Sequence, residues 1–411
     1  MKSRDNYKLK KTSKEVFFNF GGCVSLVLRT IFFFGDNIMG KIGALPSETI
    51  HELLRESLIV EADPRNVRPG SLDLAITDEV YRVNGAFLPG CDETVAAAMR
   101  RVGGIRLTGA KVLLEKGCCY CIRLAERIAR FPAHTYAFAN PKSSSGRVDM
   151  HVRLLVDRSS RYDAINEKYQ GPLWLLVVPK TFPVLVSPGL ALNQLRFFNG
   201  DTRFDELQLS MMFESGGGLL ADEKGKGFIY SDITHTDGDG SILLSLGLNF
   251  EVPGYEAIET GEAIDLSLKA HYDPRNFFRE VTVSKVCGKS SVTLRSGNFY
   301  ILSSREYVRV PESLACEMRP MDERSGDLRS HYAGFIDPGW GIGVDGSGNG
   351  RPLTLEVRSF DNGIIIQDGQ PIAKIRYEKM LRIPEQHYDQ MSPTYGTQNG
   401  PKLGKQFAEW K

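Results

Sequence analysis

Five segments of the chain recur at one fixed distance. VLLEKGCCYCIRLAER (112–127) lies over VTLRSGNFYILSSREY (292–307), so that Gly117 meets Gly297, Tyr120 meets Tyr300 and Glu126 meets Glu306, each pair 180 positions apart. The same offset places SSGR (144–147) over RSGD (324–327), HVRLLVD (151–157) over HYAGFID (331–337), and GPLWLLV (171–177) over RPLTLEV (351–357). PGLALNQLRF (188–197) falls on DGQPIAKIRY (368–377) in the same way. Chance matches do not share an offset, so the fold must be one unit used twice in tandem. Domains of roughly 100–200 residues make two such units the right size for most of a 411-residue chain.

Within each copy, hydrophobicity alternates with period two and is broken by Gly, Pro, Asn and Asp, as in KVLLEKG, PVLVSPG, SVTLRSGNFYILS and GIIIQDG. The chain has 41 glycines in 411 residues, above the usual ~7%, which fits many tight turns. One helix signal stands out: Pro46 and Ser47 precede ETIHELLRES, with Ser47 as expected N-cap and Ile50, Leu53 and Leu54 on one face. Each unit is therefore expected to be mainly β with a few short helices. The units are expected at 39–212 and 228–391, joined by a Gly- and charge-rich linker at 213–227. The C-terminal tail, 392–411, has turn residues without periodicity and needs a ligand or neighbour to order it.

Charge and cysteine content exclude some classes of function. A net charge of +1, from 51 Lys+Arg against 50 Asp+Glu, argues against bulk attraction to nucleic acid or a membrane surface. It leaves room for a local basic pocket that takes a small anion. Seven scattered cysteines, Cys23, Cys91, Cys118, Cys119, Cys121, Cys287 and Cys316, do not make a disulfide scaffold and point to a reducing cytoplasm. Lys2, Arg4, Lys8, Lys10, Lys11 and Lys14 precede an apolar run from Phe17 to Phe34, in the manner of a leader or anchor. Asn19 and Arg29 break that run, and a membrane span needs ~20 largely apolar residues. Met39 then opens MGKIGALPSETI like a natural start, so 1–38 are expected to be a dispensable, disordered extension or a misassigned start, with a real leader or anchor as the alternative.

Two stretches carry residues suited to chemistry. NPKSSSGR (140–147) offers Lys142, the hydroxyls of Ser143, Ser144 and Ser145, and Arg147, with Gly146 allowing close backbone approach. Such a loop can give charge-assisted hydrogen bonds to phosphate oxygens, although a polar surface turn uses the same residues. In PLTLEV (352–357), Glu356 sits in an apolar strand, where a carboxylate is costly unless paired or used. A carboxylate there can have a raised pKa and work as acid and base. The alternative is an ion pair with an Arg, and Arg351 and Arg358 are near in sequence. The first copy has Leu176 at the matching position, so the fold tolerates an apolar residue there, which favours a functional Glu356.

Other motifs carry less. Cys118-x-x-Cys121 lacks two further zinc ligands at fitting spacing, and its counterpart NFYI marks a core strand. HTDGDG (235–240) and DGSGNG (345–350) lack the Glu of a calcium loop and read as turns. CGKSS (287–291) has Val283 where a phosphate loop has its leading Gly. The H-x-E and P-C-x-x-C pattern of zinc deaminases is absent.

Taken in order and spacing, LPSETI, RPGSLDL, NPKSSSGR, IDPGW, PLTLE and the tail resemble the zinc-independent 2′-deoxycytidine 5′-triphosphate deaminases, relatives of the trimeric dUTPases, in their longer, duplicated bacterial form. The resemblance runs from about Leu45 to Gln406. It implies a mainly β chain of two tandem dUTPase-like domains, each a β-clip or distorted β-barrel. It implies hydrolytic deamination of dCTP to dUTP and ammonia, without zinc, with Mg²⁺ carried by the triphosphate. The family's phosphate loop falls on Lys142, Ser143, Ser144 and Arg147, with Lys142 in place of an Arg and its bidentate fork. The second copy has Asp322, Glu323, Arg324 and Asp327 there, an acidic set that repels a triphosphate. The family's catalytic Glu falls on Glu356, beside Thr354 and Leu355, and its Asp before P-G-W falls on Asp337. The tail pattern falls on Tyr395, Lys402 and Gln406.

Each copy thus keeps half a site, which implies one composite site per chain. In this reading Glu356 moves protons between water, ring nitrogen and leaving amine, and Ser143 helps hold the water. Lys142, Ser144, Arg147 and Lys402 take the triphosphate, and Asp337 faces the sugar or base. A cytoplasmic homo-oligomer is expected, with no nucleic-acid or membrane partner. A dUTP diphosphatase, a bifunctional deaminase–diphosphatase and a non-catalytic nucleotide sensor remain as alternatives.

Overall fold

The period-two segments become strands, and both copies arrange them in the same order. The structure is a computed structural model and describes residues 41–214, 218–233, 239–321, 328–330, 334–359, 363–391 and 394–410. The expected extension at 1–38 and the acidic loop of Asp322, Glu323, Arg324 and Asp327 lie outside them. The first repeat contains α1 (Ser47–Arg55), β1 (Ser71–Val83), α2 (Val95–Arg101), β2 (Cys119–Ile128), β3 (Tyr136–Pro141), α3 (Ser143–Gly146), β4 (Met150–Val156), β5 (Gly171–Pro179) and β6 (Ala191–Phe198). After α4 (Glu206–Glu214), the second repeat has β7 (Ser241–Ser245), β8 (Phe299–Val308), β9 (Leu314–Arg319), β10 (Phe335–Ile336), β11 (Arg351–Ser359) and β12 (Pro371–Lys379) as its main strands.

Pairing and register repeat with the sequence. β5 lies antiparallel to β2 with Leu176 opposite Cys121, and β11 lies antiparallel to β8 with Glu356 opposite Ile301. The strand order β1–β6–β3 of the first repeat recurs as β7–β12–β9 in the second. Matched residues do matched work. The Tyr120 hydroxyl accepts from the Glu115 N–H at 2.9 Å, and the Tyr300 hydroxyl accepts from the Arg295 N–H at 2.8 Å. The Glu126 carboxylate accepts from Ala75 N–H, and that of Glu306 from Ser245 N–H. Gly117 and Gly297 turn the chain ahead of β2 and β8 at φ 79° and 74°, a conformation that a side chain disfavours. The copies differ in that β1 continues past Ala75 to pair with β2, giving one ten-stranded sheet, whereas β7 stops at Ser245 and leaves separate six- and four-stranded sheets.

The repeats are joined by strands, core and charge. Ile264–Asp265 pairs in parallel with Val184–Val186 of the first repeat. Phe182, Phe277, Phe278 and Phe407 pack edge to face beside that junction. Arg196 on β6 is fully buried against the carboxylates of Glu317 on β9, at 2.9 Å, and Glu378 on β12. Burial pushes Glu317 upward, but Arg196, Arg319 and Arg376 outweigh it and hold its carboxyl below the usual range.

Two local readings are settled. Cys121 is buried within β2, as the core-strand reading requires. The N-cap of α1 is Pro46 rather than Ser47: the Ser47 hydroxyl donates to Glu48 Oε1 at 2.7 Å instead of capping. Among the described residues, no helix is long and apolar enough to cross a membrane.

Candidate active site

A cavity of about 410 Å³ is walled by both repeats and the tail. Of the loop expected to take phosphate, Ser143–Gly146 form the short α3 between β3 and β4, with Lys142 as its N-cap. Ser143 and Ser144 face the cavity, while the buried Ser145 hydroxyl donates to Leu192 O at 3.0 Å and ties the loop to β6. From the second repeat, β11 alternates: Thr354 and Glu356 face the cavity and Leu355 enters the hydrophobic core. The Leu355 side chain is absent from the cavity lining, whereas Leu353, two residues before it on the same face of β11, reaches it.

Glu356 is 4% exposed, and neither flanking arginine pairs with it. Arg351 forms a bidentate pair with Asp389 at 2.7 and 2.6 Å. Arg358 reaches Asp149 of the first repeat and donates to Thr181 Oγ1 at 2.8 Å. The nearest cation to Glu356 is Arg147, whose Nε stands 3.8 Å from Oε1 and makes no hydrogen bond. Burial pushes the Glu356 carboxyl up to about 8 against the pull of Arg147. The ion pair that does form is the long one with Arg147 of the other repeat, and it does not outweigh burial, so Glu356 is a buried acid that ionises near neutrality.

Arg147 is itself held by the tail. Its guanidinium lies 3.7 Å over the Tyr395 ring and donates to Gln398 Oε1 at 2.9 Å and Lys402 O at 3.0 Å. Lys402 contributes main chain here, its N–H donating to Thr354 Oγ1 at 3.2 Å, and its ammonium does not line the cavity. Nor does the buried Gln406, whose carbonyl accepts from His271 and Tyr272 N–H. Asp337 does line the cavity: its Oδ1 accepts from Gly70 N–H at 3.2 Å. Burial and neighbouring Asp73 push it up to about 7 against that hydrogen bond, Lys142 and Arg68. The turn after Asp337 requires Gly339, at φ 89°, since a Cβ there would lie 2.4 Å from His387.

Eight of the eleven expected residues come together here: Lys142, Ser143, Ser144, Arg147, Asp337, Thr354, Glu356 and Tyr395. Sequence reasoning missed Arg68, Gln194, Lys269, Trp340, Tyr388, Gln398 and Lys405 in the lining, and Asp73 behind it. Arg68 and Asp73 lie within or beside RPGSLDL, a signal that was present but carried no assigned role. The matching face of the first repeat holds no such cavity wall: Leu176 and Trp174 pack there against Val95, Ala98 and Met99 of α2. The described residues contain no cluster of three or more His, Cys, Asp or Glu that could hold a metal.

Comparison with known proteins bears on the family and the fold. The N-terminal domain of 2′-deoxycytidine 5′-triphosphate deaminase matches residues 41–201, and its C-terminal domain matches 221–407. The crystal structure of 2′-deoxycytidine 5′-triphosphate deaminase from Agrobacterium tumefaciens superposes with a TM-score of 0.74 at 34% identity, covering 84% of this chain and 97% of that one. Among curated proteins, nothing matches. Two family domains in tandem and a full-length structural relative lead to one conclusion: the chain belongs to the 2′-deoxycytidine 5′-triphosphate deaminase family.

Proposed function

We propose that this dCTP deaminase works at one composite site per chain, with the loop of the first repeat holding the triphosphate and Glu356 of the second moving the protons. The observation that carries this reading is Glu356: a buried carboxyl raised to about 8, facing a cavity opposite the loop, where the sister repeat has a packed Leu176. Ionised Glu356 takes a proton from water as the oxygen bonds to C4 of cytosine, and passes that proton to N3. It then carries the hydroxyl proton of the tetrahedral adduct to the amine, the C–N bond breaks and ammonia leaves, so dCTP and water give dUTP and ammonia. Ser143 helps hold the water. Arg147, 3.8 Å away, supplies the positive charge that eases ionisation of Glu356. Asp337 is placed for the sugar or base, and Lys142 and Ser144 for phosphate oxygens.

Mg²⁺ would enter with the triphosphate and neutralise phosphate charge there. The product dUTP would serve dUMP and dTTP synthesis, in a cytoplasmic homo-oligomer. Incubation with dCTP and Mg²⁺ should release ammonia and dUTP in equal amounts. The kcat/KM should climb with pH through about 8, because only the carboxylate form accepts the water's proton. That limb should persist in Asp337→Asn, since Asp337 titrates lower. Pyrophosphate release from dUTP without ammonia from dCTP would replace this reading with a diphosphatase, and dCTP binding without turnover would leave a sensor.

A further inference from the structure

We propose that the phosphate chain of the nucleotide is gripped by Lys269 and Lys405, two lysines outside the loop-and-tail pattern of the family, and that this pair selects a triphosphate over shorter phosphate chains. The inference rests on the deaminase reading of the cavity and adds to it the residues that read phosphate number.

The loop cations placed for the phosphates each share their charge with protein groups. The Lys142 ammonium pairs with the buried Asp73 carboxylate, which also takes Arg68 at 2.8 Å. Arg147 is held by Gln398, the Lys402 carbonyl and the Tyr395 ring, with Glu356 alongside. The Lys402 ammonium is absent from the lining. Lys269 and Lys405 both line the cavity with Ser143 and Ser144, and neither ammonium has an ion pair or hydrogen bond among the described residues.

Their meeting is built into the main chain. Ala270 N–H donates to the Lys405 carbonyl at 2.9 Å, and His271 and Tyr272 N–H donate to the Gln406 carbonyl at 2.8 and 3.1 Å. The tail is thereby laid along the segment that carries Lys269. The result is like charge brought together: burial, then the ammonium groups of Lys142 and Lys269, hold Lys405 below the usual lysine range. Arg68 and Lys142 pair with the carboxylate of Asp73, which also acts on Lys405, and Lys269 lies within electrostatic reach of Lys405. A polyanion relieves that repulsion, and a longer phosphate chain relieves more of it.

Titration of the full chain with inorganic tripolyphosphate tests the pair without needing turnover. Lys269→Ala and Lys405→Ala should each weaken binding by roughly tenfold, as expected for losing a charged hydrogen bond, and Lys405→Arg should keep most of it. In dCTP kinetics the same alanine variants should raise KM with kcat nearly unchanged, while dCMP binding stays as in wild type. Tripolyphosphate binding that is unchanged in the double alanine variant, or dCTP and dCMP affinities that fall by the same factor, would overturn the proposal. Wild-type protein that releases no ammonia from dCTP would remove the deaminase reading alone, and the tripolyphosphate titration would still decide for or against the lysines.

Discussion

Glu356→Gln should lower the rate of ammonia release from dCTP by at least ~10³-fold, within the range for losing a positioned acid–base group, with dCTP binding changed only a few-fold. The amide keeps the shape of the buried side chain but can neither take nor return a proton. The same substitution should stabilise the protein, and the sign follows from linkage. The carboxyl ionises near 4.5 when unfolded and at about 8 when folded, so its contribution to stability is intact below about 4.5 and is lost as pH rises through about 8. Glutamine has no such loss. The Tm of Glu356→Gln should therefore exceed that of wild type by a margin that widens between pH 5 and 8. Full activity in this variant would remove Glu356 from the chemistry, and a Tm gap independent of pH would show that its carboxyl is not held protonated.

Arg196→Met should be the most destabilising single change at the junction of the repeats. It removes a fully buried cation and leaves Glu317 and Glu378 with the more distant Arg376 and Arg319, at 3.2–3.5 Å. Breaking a buried pair in this way costs about 3–5 kcal/mol. Removing both charges is milder, so Arg196→Met with Glu378→Leu should recover part of the loss. The junction matters to the site because β6 carries Gln194 and β9 carries Met318 into the same cavity wall. Chemical denaturation gives the comparison directly. A loss below ~1 kcal/mol for Arg196→Met would mean that packing alone holds the repeats together.

The duplication and the strands were legible because each depends on short-range pattern. Gly117 and Gly297 turn, Tyr120 and Tyr300 plug, and the alternation of β5 and β11 puts residue 176 or 356 on the same face. Glu356 stood out for the same reason, as a charge on an apolar strand whose twin is Leu176. Lys269 and Lys405 had no such signal. They meet only because the tail pairs its main chain with 270–272, a contact between stretches without periodicity. The tail's path also exchanges Lys402 for Lys405 in the lining, which spacing alone does not reveal. The Arg358–Asp149 pair was hidden likewise, since Arg358 finds its partner in the other repeat rather than on its own strand.

The central claim is that one chain closes one site from its own two repeats. Complementation tests it most directly. Arg147→Met disables the first-repeat half and Glu356→Gln the second. The two chains, differently tagged, are co-expressed and purified through both tags and as a mixture, and assayed for ammonia from dCTP. A site within the chain predicts that any assembly of the two is no more active than the sum of the separate variants. Recovery of a substantial fraction of wild-type activity would contradict it, because the intact loop of one chain would then be meeting the intact Glu356 of another.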